Sequence, residues 1–222
     1  MKLDRRQKYL QIAFNRPLPE VRPMVMALPA SDRIIVEAGT PLVKEYGQQG
    51  IATLHQWWAE RLGYPGYVVA DLKCMDRGST EVEAAAAAGA SAATCLGLAP
   101  LETIVEFIRR CRAVGMESMV DMMNVEYPFE ILQHLREQPS IVVLHRGVDE
   151  GADNRERMLP HHLINRIKGT YQVLISLAGG ETLRETQRTF FNNADIAVVW
   201  RMFYEDPAKT AELAQQFLTT VK

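Results

Sequence analysis

The short apolar run Val68-Val69-Ala70 leads directly into Asp71, Lys73 and Asp76. Alternate residues of an extended strand share a face, so Asp71 and Lys73 project together. A carboxylate or an ammonium buried alone is strongly disfavoured, whereas a buried pair persists and holds shifted proton affinities. Such a pair can move protons or neutralise charge that develops on a substrate. The plainer alternative is a strand end that reaches solvent.

Other apolar runs end in the same manner, giving way to Asn15, Glu37, Asp121, His145, Gly179-Gly180 and Trp200-Arg201. Glu37 and Asp71, on neighbouring strands, suit a hard divalent cation that takes oxygen ligands and keeps waters for a substrate to displace, with Mg2+ the natural candidate. Lys73, flanked by carboxylates, stays protonated and can stabilise an enediolate or another developing oxyanion. Of five histidines only His145 ends a strand; His55, His134, His161 and His162 fall in helical or loop contexts. An imidazole titrates near neutral pH, so His145 can carry a proton to or from carbon. Gly179 and Gly180 can offer backbone N–H groups to an anion, and Arg201 adds a charge, which together suggest a phosphorylated substrate. Each residue also has an ordinary use: a solvated strand end for Glu37, a structural ion pair for Lys73, a satisfied partly buried imidazole for His145, and turn chemistry for the glycines.

These side chains need elements that bring them to one place. Strands are expected at Tyr9–Phe14, Arg33–Glu37, Gly66–Asp71, Ala92–Leu96, Glu117–Asp121, Ile141–His145, Gln172–Ala178 and Asp195–Val199. Pro17, Pro19 and Pro23 leave room for only a short or late-starting first helix. Pro41 opens the second, which runs through Leu54, Trp57, Trp58 and Leu62. Further helices are expected at Ser79–Ala88, with Ser79 as N-cap, and at Leu101–Val114, Pro128–Arg136, His161–Ile167, Leu183–Asn192 and Pro207–Thr219. The loop from Arg146 to Arg155 is too charged for a core and long enough to move. Eight alternations with short turns and no linker predict an α/β chain folded as one (β/α)8 TIM barrel over residues 1–222. A doubly wound open sheet is the alternative, disfavoured because the glycine pair comes late in the chain. In the barrel, all the polar strand ends lie on one rim.

The 222 residues are 47% hydrophobic, enough for a sizeable core, and a net charge of -2 without a basic tract gives no reason to expect nucleic acid or an acidic membrane as partner. No apolar run approaches ~20 residues and the first residues are polar, so neither a membrane span nor a secretory signal is expected. Cys74, Cys95 and Cys111 make an odd count without CxxC spacing. They read as reduced thiols of a cytoplasmic protein.

Asp71-x-Lys73-x-x-Asp76 resembles the DxKxxD signature of the orotidine 5'-monophosphate decarboxylase suprafamily. Within it, the stretches from Val36 to Lys44 and from Ala70 to Asp76 are similar to 3-hexulose-6-phosphate synthase and 3-keto-L-gulonate-6-phosphate decarboxylase. The resemblance implies a homodimer with sites at the interface, in which Asp76 reaches the partner's site. It implies Mg2+ on Glu37 and Asp71, an enediolate stabilised by the ion and Lys73, and His145 as the proton-transfer group. For the synthase, the enediolate of D-ribulose 5-phosphate attacks formaldehyde reversibly; the decarboxylase reaches the same kind of enediolate by losing CO2.

Asp121 where the decarboxylase group has Glu, Val148 where it has a second loop Arg, and Ala178 where it has Thr favour the synthase. Two positions depart from the family pattern: Asn15 stands where Asp is usual, and Trp200 where a glycine approaches the phosphate. The expected function is therefore a Mg2+-dependent aldolase of the hexulose-phosphate synthase type. The alternatives are a decarboxylase of a keto-sugar-acid phosphate, a diverged enzyme with another substrate, or a catalytically silent homodimer that binds a phosphorylated metabolite.

Overall fold

A computed structural model describes residues 2–147, 149, 159–179, 182–203 and 206–221. The strands are Tyr9–Phe14 (β1), Ile34–Ala38 (β2), Val68–Cys74 (β3), Ala92–Leu96 (β4), Glu117–Asp121 (β5), Ile141–His145 (β6), Leu174–Ala178 (β7) and Ile196–Val199 (β8). Between and after them run Leu18–Ala27 (α1), Thr40–Leu62 (α2), Gly78–Ala87 (α3), Leu101–Ala113 (α4), Pro128–Leu132 (α5), His161–Thr170 (α6), Leu183–Phe191 (α7) and Pro207–Thr220 (α8). The strands pair in parallel and in chain order, and β1 closes on β8 with Tyr9 opposite Ile196. This is the expected (β/α)8 barrel.

Closure leaves the strands buried on both faces, so their sequences are nearly continuous apolar runs. One face joins the helices: Leu10, Ile12, Val36, Val120 and Val142 share a core with Trp58, Phe107 and Phe217. The other fills the barrel with Tyr9, Ile35, Val69, Ala92, Met119 and Val143. Two residues further along each of those strands stand Gln11, Glu37, Asp71, Thr94, Asp121 and His145. A period of two therefore delivers six polar side chains to one end of the barrel.

The prolines do not delay α1. Pro17 is its N-cap and Pro19 lies in its first turn, where a missing N–H costs nothing. Pro23 sits inside the helix, and burial of Val21, Met24 and Val25 offsets the lost hydrogen bond. Ser79 is not the cap of α3; Arg77 holds that place with φ 56°. Helix α2 breaks at Gly47, whose φ of 56° and ψ of -142° are not helical. The fifth helix stops at Leu132, short of the expected Arg136. Strand β3 instead runs on to Cys74, beyond its apolar stretch. Among the described residues no helix is long and apolar enough to cross a membrane.

Candidate active site

Beyond Ala70 the pairing of β3 with β4 slips, from Ala70 opposite Ala93 to Cys74 opposite Cys95, and Lys73 takes a positive φ of 47°. Asp71 and Lys73 still meet, with Nζ 2.6 Å from Oδ2. The same carboxylate oxygen accepts from the backbone N–H and hydroxyl of Thr40, the first residue of α2, at 3.3 and 2.6 Å. Thr94 of β4 donates to Oδ1 at 2.8 Å. Burial opposes the charged form of Asp71, but the Lys73 charge and these hydrogen bonds hold its pKa below the ordinary carboxylate value. Burial likewise opposes the Lys73 ammonium, and Asp71 and Asp121 outweigh it, so the lysine pKa is raised.

Asp121, at the end of β5, joins this pair to β6. Its Oδ2 lies 2.7 Å from His145 Nδ1 and 3.8 Å from Lys73 Nζ, while Oδ1 accepts the Met123 N–H at 2.9 Å. Burial alone would depress the imidazole pKa, yet the Asp121 hydrogen bond and charge carry it above the ordinary value. The contact occupies Nδ1 and leaves Nε2 for proton exchange.

Glu37 is 6% exposed, and its Oε2 accepts from Gln11 Nε2. Burial and then the neighbouring Asp71 charge push its carboxyl up to about 7. The Gln11 Oε1 atom is itself buried without a hydrogen-bond partner. Two repelling buried carboxylates beside an unmatched acceptor fit a hard cation. Among the described residues no group of three or more His, Cys, Asp or Glu is placed to hold a metal. A cation here would have two protein carboxylates and take its remaining oxygens from water or ligand, a pattern that suits Mg2+.

These groups open into a cavity of about 420 Å³ whose wall also includes Asn15, Arg146, Gly179 and Trp200. Asn15 packs against the backbone before α2: a Cβ on Gly39 would fall 1.9 Å from its Oδ1, so a side chain there would displace the Asn15 amide. Gly179 has φ 101°, and its carbonyl accepts from Arg146 Nη2 at 2.8 Å, tying the end of β7 to the start of the loop after β6.

Two expected site residues do not line the cavity. Asp76 is exposed, and its Oδ1 accepts the Arg77 N–H at 2.7 Å. Arg201 is also exposed, with its guanidinium 4.5 Å from the centre of the Trp200 ring. Gly180 and Val148 lie outside the described residues. In turn Gln11, Thr40, Thr94 and Arg146 line the cavity without having been singled out from the sequence. The signal for Gln11 and Thr94 was present: each is a lone polar residue on the inward register of an apolar strand.

Residues 8–216 match the family described as orotidine 5'-phosphate decarboxylase / HUMPS. The chain belongs to that family. Among the relatives of this chain is the bifunctional enzyme Fae/Hps of Methanocella arvoryzae, 38% identical over 197 residues, which are 87% of the chain and 48% of that enzyme. The chain spans about half the length of the curated relatives it matches. The crystal structure of 3-hexulose-6-phosphate synthase from Salmonella typhimurium superposes with a TM-score of 0.81 at 28% identity, covering 95% of this chain and 98% of that one. KGPDC from Streptococcus mutans has the same fold, with a TM-score of 0.78 at 17% identity over 97% and 99% of the two chains. The family resemblance read from the DxKxxD stretch is thus borne out.

Proposed function

We propose that this chain is a lyase of the 3-hexulose-6-phosphate synthase type, reversibly joining formaldehyde to D-ribulose 5-phosphate through an enediolate. The observation that carries the reading is the continuous run of charge from Asp71 through Lys73 and Asp121 to His145 on one wall of a cavity. Its likeness to 3-hexulose-6-phosphate synthase and to Fae/Hps proteins supports the choice of reaction.

In this mechanism Asp121 fixes His145 with Nδ1 engaged, and Nε2 takes the proton from C1 of the sugar phosphate. Lys73, kept charged by two carboxylates, faces the oxyanion as it develops. The enediolate carbon C1 forms a bond to the formaldehyde carbon, the carbonyl electron pair moves to the formaldehyde oxygen, and that oxygen takes up a proton. Glu37 and Asp71 would hold Mg2+, which would supply further positive charge to the site. Arg146 and the backbone at Gly179 receive the phosphate. Asp76, outside its own cavity, serves the site of a second copy. Met75, Leu98, Leu101 and Val105 are exposed, apolar surface that a homodimer would cover.

Purified chain should consume formaldehyde only when ribulose 5-phosphate and Mg2+ are both present. Binding of ribulose 5-phosphate without any loss of formaldehyde would sink the proposal. Asn15 and Trp200 in the cavity wall favour a second reading, the same enediolate chemistry on another phosphorylated substrate. CO2 release from 3-keto-L-gulonate 6-phosphate would identify its decarboxylase form.

A further inference from the structure

We infer that Thr94 is a positioning residue, whose hydroxyl locks Lys73 in a left-handed backbone conformation and thereby sets the ammonium between Asp71 and Asp121. The inference uses the role given to Lys73 under the proposed function, but its geometry stands apart from the choice of substrate.

Lys73 has φ 47° within a strand, a region that side-chain-bearing residues rarely adopt and that persists only where surroundings over-determine it. The contacts around one hydroxyl do so, at a break in the sheet. The ladder between β3 and β4 is interrupted between Ala70 and Cys74, leaving the Lys73 N–H without its ladder place. The Thr94 hydroxyl oxygen fills that gap, accepting from Lys73 N at 2.9 Å. The same hydroxyl uses its one proton to donate to Asp71 Oδ1 at 2.8 Å, while Asp71 Oδ2 receives Lys73 Nζ at 2.6 Å. A ring thus forms in which one hydroxyl ties the lysine backbone to the carboxylate that its own side chain meets. Thr94 is 4% exposed, so water does not readily replace it. Serine can close the same ring; valine, of nearly the same shape, can neither accept nor donate.

Crystal structures and turnover of Thr94→Val and Thr94→Ser against the unaltered protein test this. In Thr94→Val, Lys73 should leave the positive-φ region, and kcat should fall by about 30-fold with KM for the sugar phosphate changed by less than about threefold, as for an interaction felt mainly in the transition state. Thr94→Ser should keep the lysine conformation and stay within about threefold of the original kcat. A Thr94→Val protein with Lys73 unmoved, or a Thr94→Ser protein with Lys73 displaced, overturns the inference. The serine variant decides it even where the valine variant does not fold. Should the unaltered protein turn over no substrate, the proposed function fails, and the backbone conformation of Lys73 in the two variants still settles the role of Thr94.

Discussion

The two ends of the barrel bury acids of the same kinds to the same depth and do opposite things with them. At the amino end, Glu117 accepts from the Tyr67 hydroxyl at 2.7 Å and from Leu3 N at 3.2 Å. Asp195, 1% exposed, accepts the Ile175 N–H at 2.9 Å and is flanked by Lys168 at 2.7 Å and Lys8 at 3.2 Å. Both lysines also donate to nearby carbonyls, of Ala194 and Asn193. The two acids there find their partners close by, which makes a plug. At the carboxyl end partners are shared: Lys73 serves Asp71 and Asp121, Glu37 is repelled by Asp71, and a Gln11 oxygen has no match. Burial therefore does not mark a site. Unsaturated, mutually dependent charge facing a cavity does.

The sharpest break between the ends should come from Lys73→Ala, expected to lower turnover by about 10³-fold, as for loss of an oxyanion-stabilising group. Circular dichroism should show the fold intact. Next is the response to Mg2+. At pH 8 the raised Glu37 pKa of about 7 leaves that carboxyl ionised and repelled by Asp71, so saturating Mg2+, at about 100 times its Kd, should add about 2.7 kcal/mol of stability. Below pH 7 protons compete for Glu37 and the gain should shrink. Thermal melts of Glu37→Gln should lose the Mg2+ response, while Glu117→Gln at the other end keeps it.

Asp195→Ala should act in the opposite sense, costing about 2 kcal/mol of unfolding free energy, a figure discounted because both lysines are partly exposed. Its folded protein should retain kcat/KM within about threefold. The smallest effect is a displacement of a pH profile. Asp121 holds the His145 pKa above its ordinary value, so protonated His145 stabilises the fold below that ordinary value and the contribution is lost as pH rises through the raised one. Neutral His145 is the proposed base, so activity should rise over the same interval. Asp121→Asn should move this rising limb to lower pH, and a limb that stays in place would detach His145 from the proton transfer.

The barrel was legible because closure buries both strand faces, turning each strand into a visible apolar run. Glu37, Asp71, Lys73, Asp121 and His145 were legible because each interrupts such a run at its end. Gln11 and Thr94 are harder to read because each sits within a run, where one polar residue looks incidental until strand alternation sets it on the face of Tyr9 or Ala92. Arg201 follows β8 closely in sequence, but a 3-10 turn at Arg201–Phe203 leaves it exposed, with its guanidinium over the Trp200 ring. Asp76 follows β3 and lies on the exposed turn before α3, so a single chain gives it no place in the cavity. The prolines of α1 misled because their cost depends on position within the helix, which packing of Val21, Met24 and Val25 decides.

Whether the carboxyl-end cluster makes an enediolate is decided by proton NMR of ribulose 5-phosphate in D2O with Mg2+ and no formaldehyde. A C1 proton should be steadily replaced by deuterium, and the exchange should be lost in both Lys73→Ala and His145→Ala. Saturating binding of ribulose 5-phosphate with no exchange at C1 would contradict it.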